Sequence, residues 1–255
     1  MTFTELVVKN RSYRGFDRSR RVTREELEEM VSCARLTPSA VNRQPLKYAL
    51  SWTDEVNRRI QPLTAWAGLL KPGRVLPEAG HEPVAFIVMC VDTRICADPR
   101  GADRDLGIAA QTILLRAVEM GLGGCMIGAF KPEIKTALAL PEYAHPVLVL
   151  AIGKPDETVV LEDAGDSVAY YRDENDVHHV PKRALSSILL SIGSRNPSPR
   201  VLNGSAETVY QLIFRSIVCA PSISMTSRPS FSSFFITSLK RLKPSVFSSK
   251  SGYFS

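Results

Sequence analysis

The chain has 255 residues, 44% apolar and 23% charged, which is ordinary for a globular protein with one sizeable core or one domain and an extension. Its formal charge of +6 is unevenly held, because residues 191–255 carry eight Lys and Arg against one acid, Glu207. Residues 1–190 are left with 24 bases and 25 acids, so the main body gives no electrostatic case for a nucleic-acid partner.

Residues 2–9 read as a short helix with Phe3, Leu6 and Val7 on one side. No apolar leader follows Met1, so a secretory signal is not expected. Next comes NRSYRGF, residues 10–16, where Arg11, Ser12 and Arg14 supply guanidinium forks and a hydroxyl that suit a phosphate or a polyol, or simply a solvated turn. Thr23 and Glu26 form a capping box, and Leu27, Met30, Val31 and Ala34 mark one helical face that should end before Pro38. PSAVNRQP, residues 38–45, is a rigid polar loop in which Asn42 and Gln44 each offer a donor and an acceptor. Residues 46–52 read as a strand and residues 53–60 as a helix capped by Thr53. Residues 61–82 look irregular, with Trp66 and the turn former Pro72-Gly73, and could be a lid or a connection.

VAFIVMCV, residues 84–91, is the longest apolar run; it reads as a buried central strand and is too short to cross a bilayer. A polar loop, residues 94–104, leads to a helix that Asp105 is expected to cap. Leu106 to Met120 leave almost no polar face, so most of this helix's circumference should be buried. Gly121 suits the left-handed helix end, and Gly123 and Gly124 follow, either as a tight turn or as bare backbone that a flat ligand could approach. Pro132 opens a short helix to about Ala139, and residues 146–153 form a second buried strand. Residues 154–169 are acidic and loop-like, and residues 170–189 end in a helix.

Several chemistries find no support. His178 and His179 are adjacent, so they point apart on most backbones, and no third ligand is spaced for a metal. The five cysteines (33, 90, 96, 125, 219) form no C-x-x-C pair, and buried thiols in a reducing cytoplasm are expected. Neither a serine nucleophile elbow nor a phosphate-binding glycine loop is present.

Taken together, four blocks resemble the nitroreductase family of FMN-dependent oxidoreductases, in the family's order: residues 10–16, residues 38–45, residues 105–130 and HHVPKRAL at 178–185. The resemblance covers roughly residues 3–190. It implies an α+β fold, a mixed central β-sheet flanked by helices, in an intertwined homodimer with FMN at the interface. It places Arg11, Ser12 and Arg14 on the phosphate and ribityl chain, with Lys182 and Arg183 completing the clamp. Pro38, Ser39, Ala40, Asn42 and Gln44 would lie against the ring, from the partner chain, and Leu122, Gly123 and Gly124 would offer backbone to the ring edge. Asn10 stands where many members have arginine, which shifts the phosphate grip toward Arg11, Arg14 and Lys182. The implied activity is hydride transfer from NADH or NADPH through the flavin to a small-molecule acceptor, a nitroaromatic or a quinone, with no protein nucleophile. Reductive dehalogenation, flavin fragmentation or flavin binding without turnover remain alternatives.

Residues 191–255 differ in kind, with 17 serines, six phenylalanines and almost no acids. A change of reading frame near residues 187–192 would produce such a break. Phenylalanines beside Lys240, Arg241 and Lys243 would also permit a membrane-surface segment or a nucleic-acid arm, although neither partner is the expectation for the chain.

Overall fold

Two apolar strands organise the molecule. In the computed structural model, which describes residues 1–68 and 75–190, β3 (Ala85–Asp92) is buried at every position. A strand with no polar face needs cover on both sides. Before it come β1 (Phe16–Asp17) and β2 (Leu46–Ser51); after it come β4 (Gly123–Ile127) and β5 (Ala144–Pro155). β3 lies between β2 and β5, with Ala49 opposite Val88 and Val88 opposite Val149. The far edge of β5 pairs with β4, Gly124 opposite Ile152, and with β1, Phe16 opposite Pro155. All of these pairings are antiparallel. The α+β class stands as expected: the named strands of the central sheet pair antiparallel, a parallel bridge joins Ser12 to Gly124 of β4, and two named strands pair parallel in a second, smaller sheet. There β6 (Val159–Asp163) runs parallel to β8 (His178–Lys182), and β7 (Tyr171–Arg172) pairs with β8 from the other side. The segment expected to be an acidic loop therefore holds the end of β5 and all of β6.

Side chains alternate across β3, so two cores form. Ala85, Ile87 and Met89 face α2 (Arg24–Arg35) and α4 (Asp103–Glu119), meeting Leu27, Met30, Ala110 and Ile113. Phe86, Val88 and Cys90 face the other way, toward Phe16, Ile60, Ile127 and Ile134. Ile60 ends α3 (Asp54–Ile60) and Ile134 begins α5 (Ile134–Ala137). The expected caps are made: Glu26 N–H donates to Thr23 Oγ1 at 3.3 Å, and Val56 N–H to Thr53 Oγ1 at 3.4 Å. A further capping box, Thr2 with Glu5, starts α1 (Phe3–Lys9). The short α6 (Leu185–Ile188) closes the described chain. Cys90, Cys96 and Cys125 are buried free thiols, and Cys33 is partly buried.

α4 departs from expectation twice. It begins at Asp103, and the residue before it, Ala102, has no side chain to cap with, so Asp105 lies inside the helix and does not cap it. Ala109, Ala110, Ile113, Leu114, Ala117 and Val118 are buried, yet Arg104, Gly107, Ile108 and Gln111 form an exposed strip. Gly121 ends the run at φ 75°, as expected. No helix among the described residues is long and apolar enough to cross a membrane. The Pro72-Gly73 turn, Cys219 and all expectations for residues 191–255 fall outside the described residues.

Candidate functional site

The segment between α1 and β1 forms one wall of a cavity of about 300 Å³. Arg11, Ser12 and Arg14 line it, together with Gln111 and Leu114 of α4, Met126 of β4, and Tyr170, His178 and Lys182 of the small-sheet region. Arg14 is only 8% exposed. Its Nη1 donates to Ser12 O and to His178 Nε2, both at 3.2 Å, and its guanidinium lies 5.2 Å from the Tyr170 ring centre. A guanidinium can only donate, so Nε2 accepts and the imidazole proton is assigned to Nδ1. Among the described residues that Nδ1 is buried without a hydrogen-bond partner, as is Arg11 Nε. Burial, then the Arg14 and Arg172 charges, holds the His178 pKa down to about 4. Burial also lowers the pKa of Arg11, whose Nη2 donates to Val7 O at 2.7 Å. Lys182 stands exposed at the end of β8.

A buried ion pair fixes this wall from behind. Glu157 Oε1 accepts from Arg14 N and, at 3.2 Å, from Gly15 N. Glu157 Oε2 pairs with Arg172, and these side chains are 6% and 7% exposed. Arg172 also reaches Asp176 Oδ2 at 3.0 Å. Sequence reasoning missed Glu157, Tyr170 and Arg172; it rejected His178 as a metal ligand and counted it in the HHVPKRAL block without giving it a role of its own. The one local signal was the density of aromatic and charged residues in YYRDENDVHH.

Pro38, Ser39 and Gln44 line a different cavity of about 220 Å³, with Ala34, Tyr48 and Asp105. The loop is sharply folded: Val41, Asn42 and Gln44 have φ of 51°, 54° and 51°. Ser39 Oγ donates to Asp105 Oδ2 at 2.7 Å and Ala40 N to Asp105 Oδ1 at 3.0 Å. Gln44 N donates in turn to Ser39 Oγ at 2.9 Å. Ala40 and Asn42 are exposed and line neither cavity. The two cavities share no residue. Asp105 and Leu114 are nine positions apart on α4, which is ~13 Å along the axis and half a turn around it. One chain thus carries two separate cavities on different faces of one helix.

Leu122, Gly123 and Gly124 lie at the end of α4 and the start of β4 and line neither of these cavities. A Cβ on Gly123 would sit 2.6 Å from the Tyr13 ring, and one on Gly124 would sit 2.4 Å from Ala151 O. Tyr13 N donates to Gly124 O at 3.0 Å. The absent side chains therefore let residues 12–13 run beside β4, which brings Arg11 and Arg14 to their cavity. Arg183 is exposed beside Lys182 but does not line that cavity.

The sequence model described as "Nitroreductase family" matches residues 7–154, more than half of the chain. A protein of Methanothermobacter thermautotrophicus, provisionally named NADH dehydrogenase/NAD(P)H nitroreductase, is 28% identical over 171 residues, covering 65% of this chain and 84% of its own. The crystal structure of a nitroreductase family protein from Clostridium difficile 630 is 25% identical with a TM-score of 0.50, covering 62% of this chain and 86% of the other. A nitroreductase from Exiguobacterium sibiricum, solved in complex with FMN, shares the fold at TM-score 0.52 and 20% identity, covering 62% and 90%.

Proposed function

We propose, from the premise that the chain belongs to the nitroreductase family, that it is an FMN-dependent NAD(P)H oxidoreductase acting on nitroaromatic or quinone-type acceptors. The observation that carries the reading is the cationic cavity of residues 11–14 and 178–182. Arg11, Arg14 and Lys182 converge there with the Ser12 hydroxyl, and among the described residues Arg11 Nε and His178 Nδ1 are donors without partners. That donor set fits a phosphomonoester and the hydroxyls of a ribityl chain. Neutral His178 adds a donor without adding a positive charge beside Arg14. Met126 and Leu114 supply apolar surface next to the cations.

When bound, FMN supplies the centre that takes hydride from NAD(P)H and passes it to the acceptor. The protein's share is binding and orientation. The 300 Å³ cavity suits the phosphate end of the flavin rather than the whole molecule. The ring would be met by a second copy, whose residues 38–45 bring Pro38, Ser39, Ala40, Asn42 and Gln44. The exposed strip of Arg104, Gly107, Ile108 and Gln111 on α4 gives that copy an apolar and polar seam between the half-sites. The name of the Methanothermobacter relative supports NAD(P)H as reductant, and the Exiguobacterium complex supports FMN.

The phosphate assignment is tested by substituting the exposed Lys182 and titrating two flavins. Lys182→Ala should weaken FMN binding by about tenfold, the scale of one charge-assisted hydrogen bond, and leave riboflavin binding unchanged. Equal weakening of both flavins, or of neither, would contradict the assignment.

A further inference from the structure

The loop of residues 38–45 is built under strain, and one carboxylate holds it. Left-handed φ is uncommon outside glycine and a clear outlier for a β-branched residue, yet Val41 adopts it beside Asn42 and Gln44. Burial does not explain this shape, because Val41 is 87% exposed. Among the described residues, the hydrogen bonds tying residues 39–44 to another element all end on Asp105. Asp105 itself is 5% exposed in α4. A carboxylate only accepts, and here each oxygen takes one donor: Ser39 Oγ–H and Ala40 N–H. Ser39 Oγ passes the restraint on by accepting from Gln44 N, so one side chain fixes both ends of the turn.

We infer that Asp105 is a positioning residue, a latch that holds residues 39–44 in the shape that meets the flavin bound to a second copy. The inference rests on the FMN reading above. It gives α4 a second duty, because Gln111 and Leu114 of the same helix line the phosphate cavity. The shape of the loop is then referenced to the same rigid element that bounds the phosphate end of this chain's own flavin, while the loop itself meets the flavin of the second copy.

The test uses the full chain with Asp105→Ala, Asp105→Asn and Ser39→Ala, read by amide hydrogen exchange and by FMN titration with visible circular dichroism. Asp105→Ala should lose protection at Ala40 and Gln44 while β3 amides stay protected. It should bind FMN about tenfold more weakly and change the flavin's dichroism. Asparagine can still accept from Ala40 N and donate to Ser39 Oγ, so Asp105→Asn should restore most of both signals. Unchanged exchange at Ala40 and Gln44 with wild-type FMN affinity in Asp105→Ala would overturn the inference. Should that variant fail to fold, Ser39→Ala decides. Selective loss of Gln44 protection with altered dichroism supports the latch, and no change in either overturns it. A wild-type chain that takes up no FMN would contradict the proposed function, and the exchange measurements would still decide whether the latch exists.

Discussion

His178 and His179 are neighbours in sequence and opposites in chemistry. His178 is 2% exposed against Arg14, and burial followed by the Arg14 and Arg172 charges lowers its pKa to about 4. His179 points to the other side of β8, between Glu162 Oε2 at 2.9 Å and Asp173 Oδ2 at 3.3 Å. The Glu162 hydrogen bond, then that of Asp173, raises its pKa. The linkage follows with opposite signs. Above pH ~6.5 His178 is neutral folded and unfolded; as pH falls from there toward 4 only the unfolded chain gains the proton. Each pH unit in that window should lower the folding constant by up to about tenfold, and the loss is complete below 4. His179 does the reverse: its contribution is present below its unfolded pKa and fades as pH rises through its higher folded one. Ring-proton NMR titration, with His179→Gln to assign the signals, should give one imidazole well below the ordinary value and one above it. Two ordinary titrations would contradict the Arg14–His178 arrangement.

The element that sets the proposed phosphate cavity is the small sheet, and Glu157, between β5 and β6, ties it to the segment before β1. Among the described residues, Glu157→Ala would leave buried Arg172 with only Asp176 to pair with, and would strip the acceptor from the Arg14 and Gly15 amides. Removing one partner of a buried pair costs about 3–5 kcal/mol, and the remaining Asp176 contact argues for the lower end. Urea unfolding should read a loss near 3 kcal/mol, with a smaller loss for Glu157→Gln, which still accepts; a loss below about 1 kcal/mol would contradict the role. This element was also the least legible in the sequence. α2 could be read from Thr23, Glu26 and the spacing of Leu27, Met30 and Ala34, because caps and helical faces are local signals. β3 could be read because the eight apolar residues 84–91, seven of them in the strand, need no partner to announce them. β6 could not, because Val159–Asp163 has its pairing partner 19 residues later and carries charges on a half-exposed face. Asp105 was misread for a related reason: the same carboxylate chemistry serves a helix cap and a tether to Ser39, and only the third dimension separates them. The Arg11, Ser12, Arg14 and Lys182 cluster was legible through four blocks in a familiar order, whereas Glu157 left no local trace.

At the scale of the whole molecule, the two cavities lie on different faces of α4, and on the proposed reading a single chain holds only part of each flavin site. The exposed strip on α4 and the exposed Leu185, Ile188 and Leu189 around α6 leave apolar surface of the kind that an interface between copies covers. Each copy would then give the cations of residues 11–14 and 182 to one flavin and the latched loop of residues 38–45 to the other. Cofactor binding and assembly are coupled on this account, since FMN retained at a two-chain site stabilises the pair that forms it. The most direct test of the central claim is the visible absorption spectrum of the purified full-length protein, recorded without oxygen before and after adding NADH or NADPH. A yellow protein whose flavin bands bleach on adding the nicotinamide, and return when a quinone is supplied, is the predicted result. A folded, colourless protein that takes up no FMN, or a flavin-loaded one whose bands stay unbleached with either nicotinamide, would contradict it.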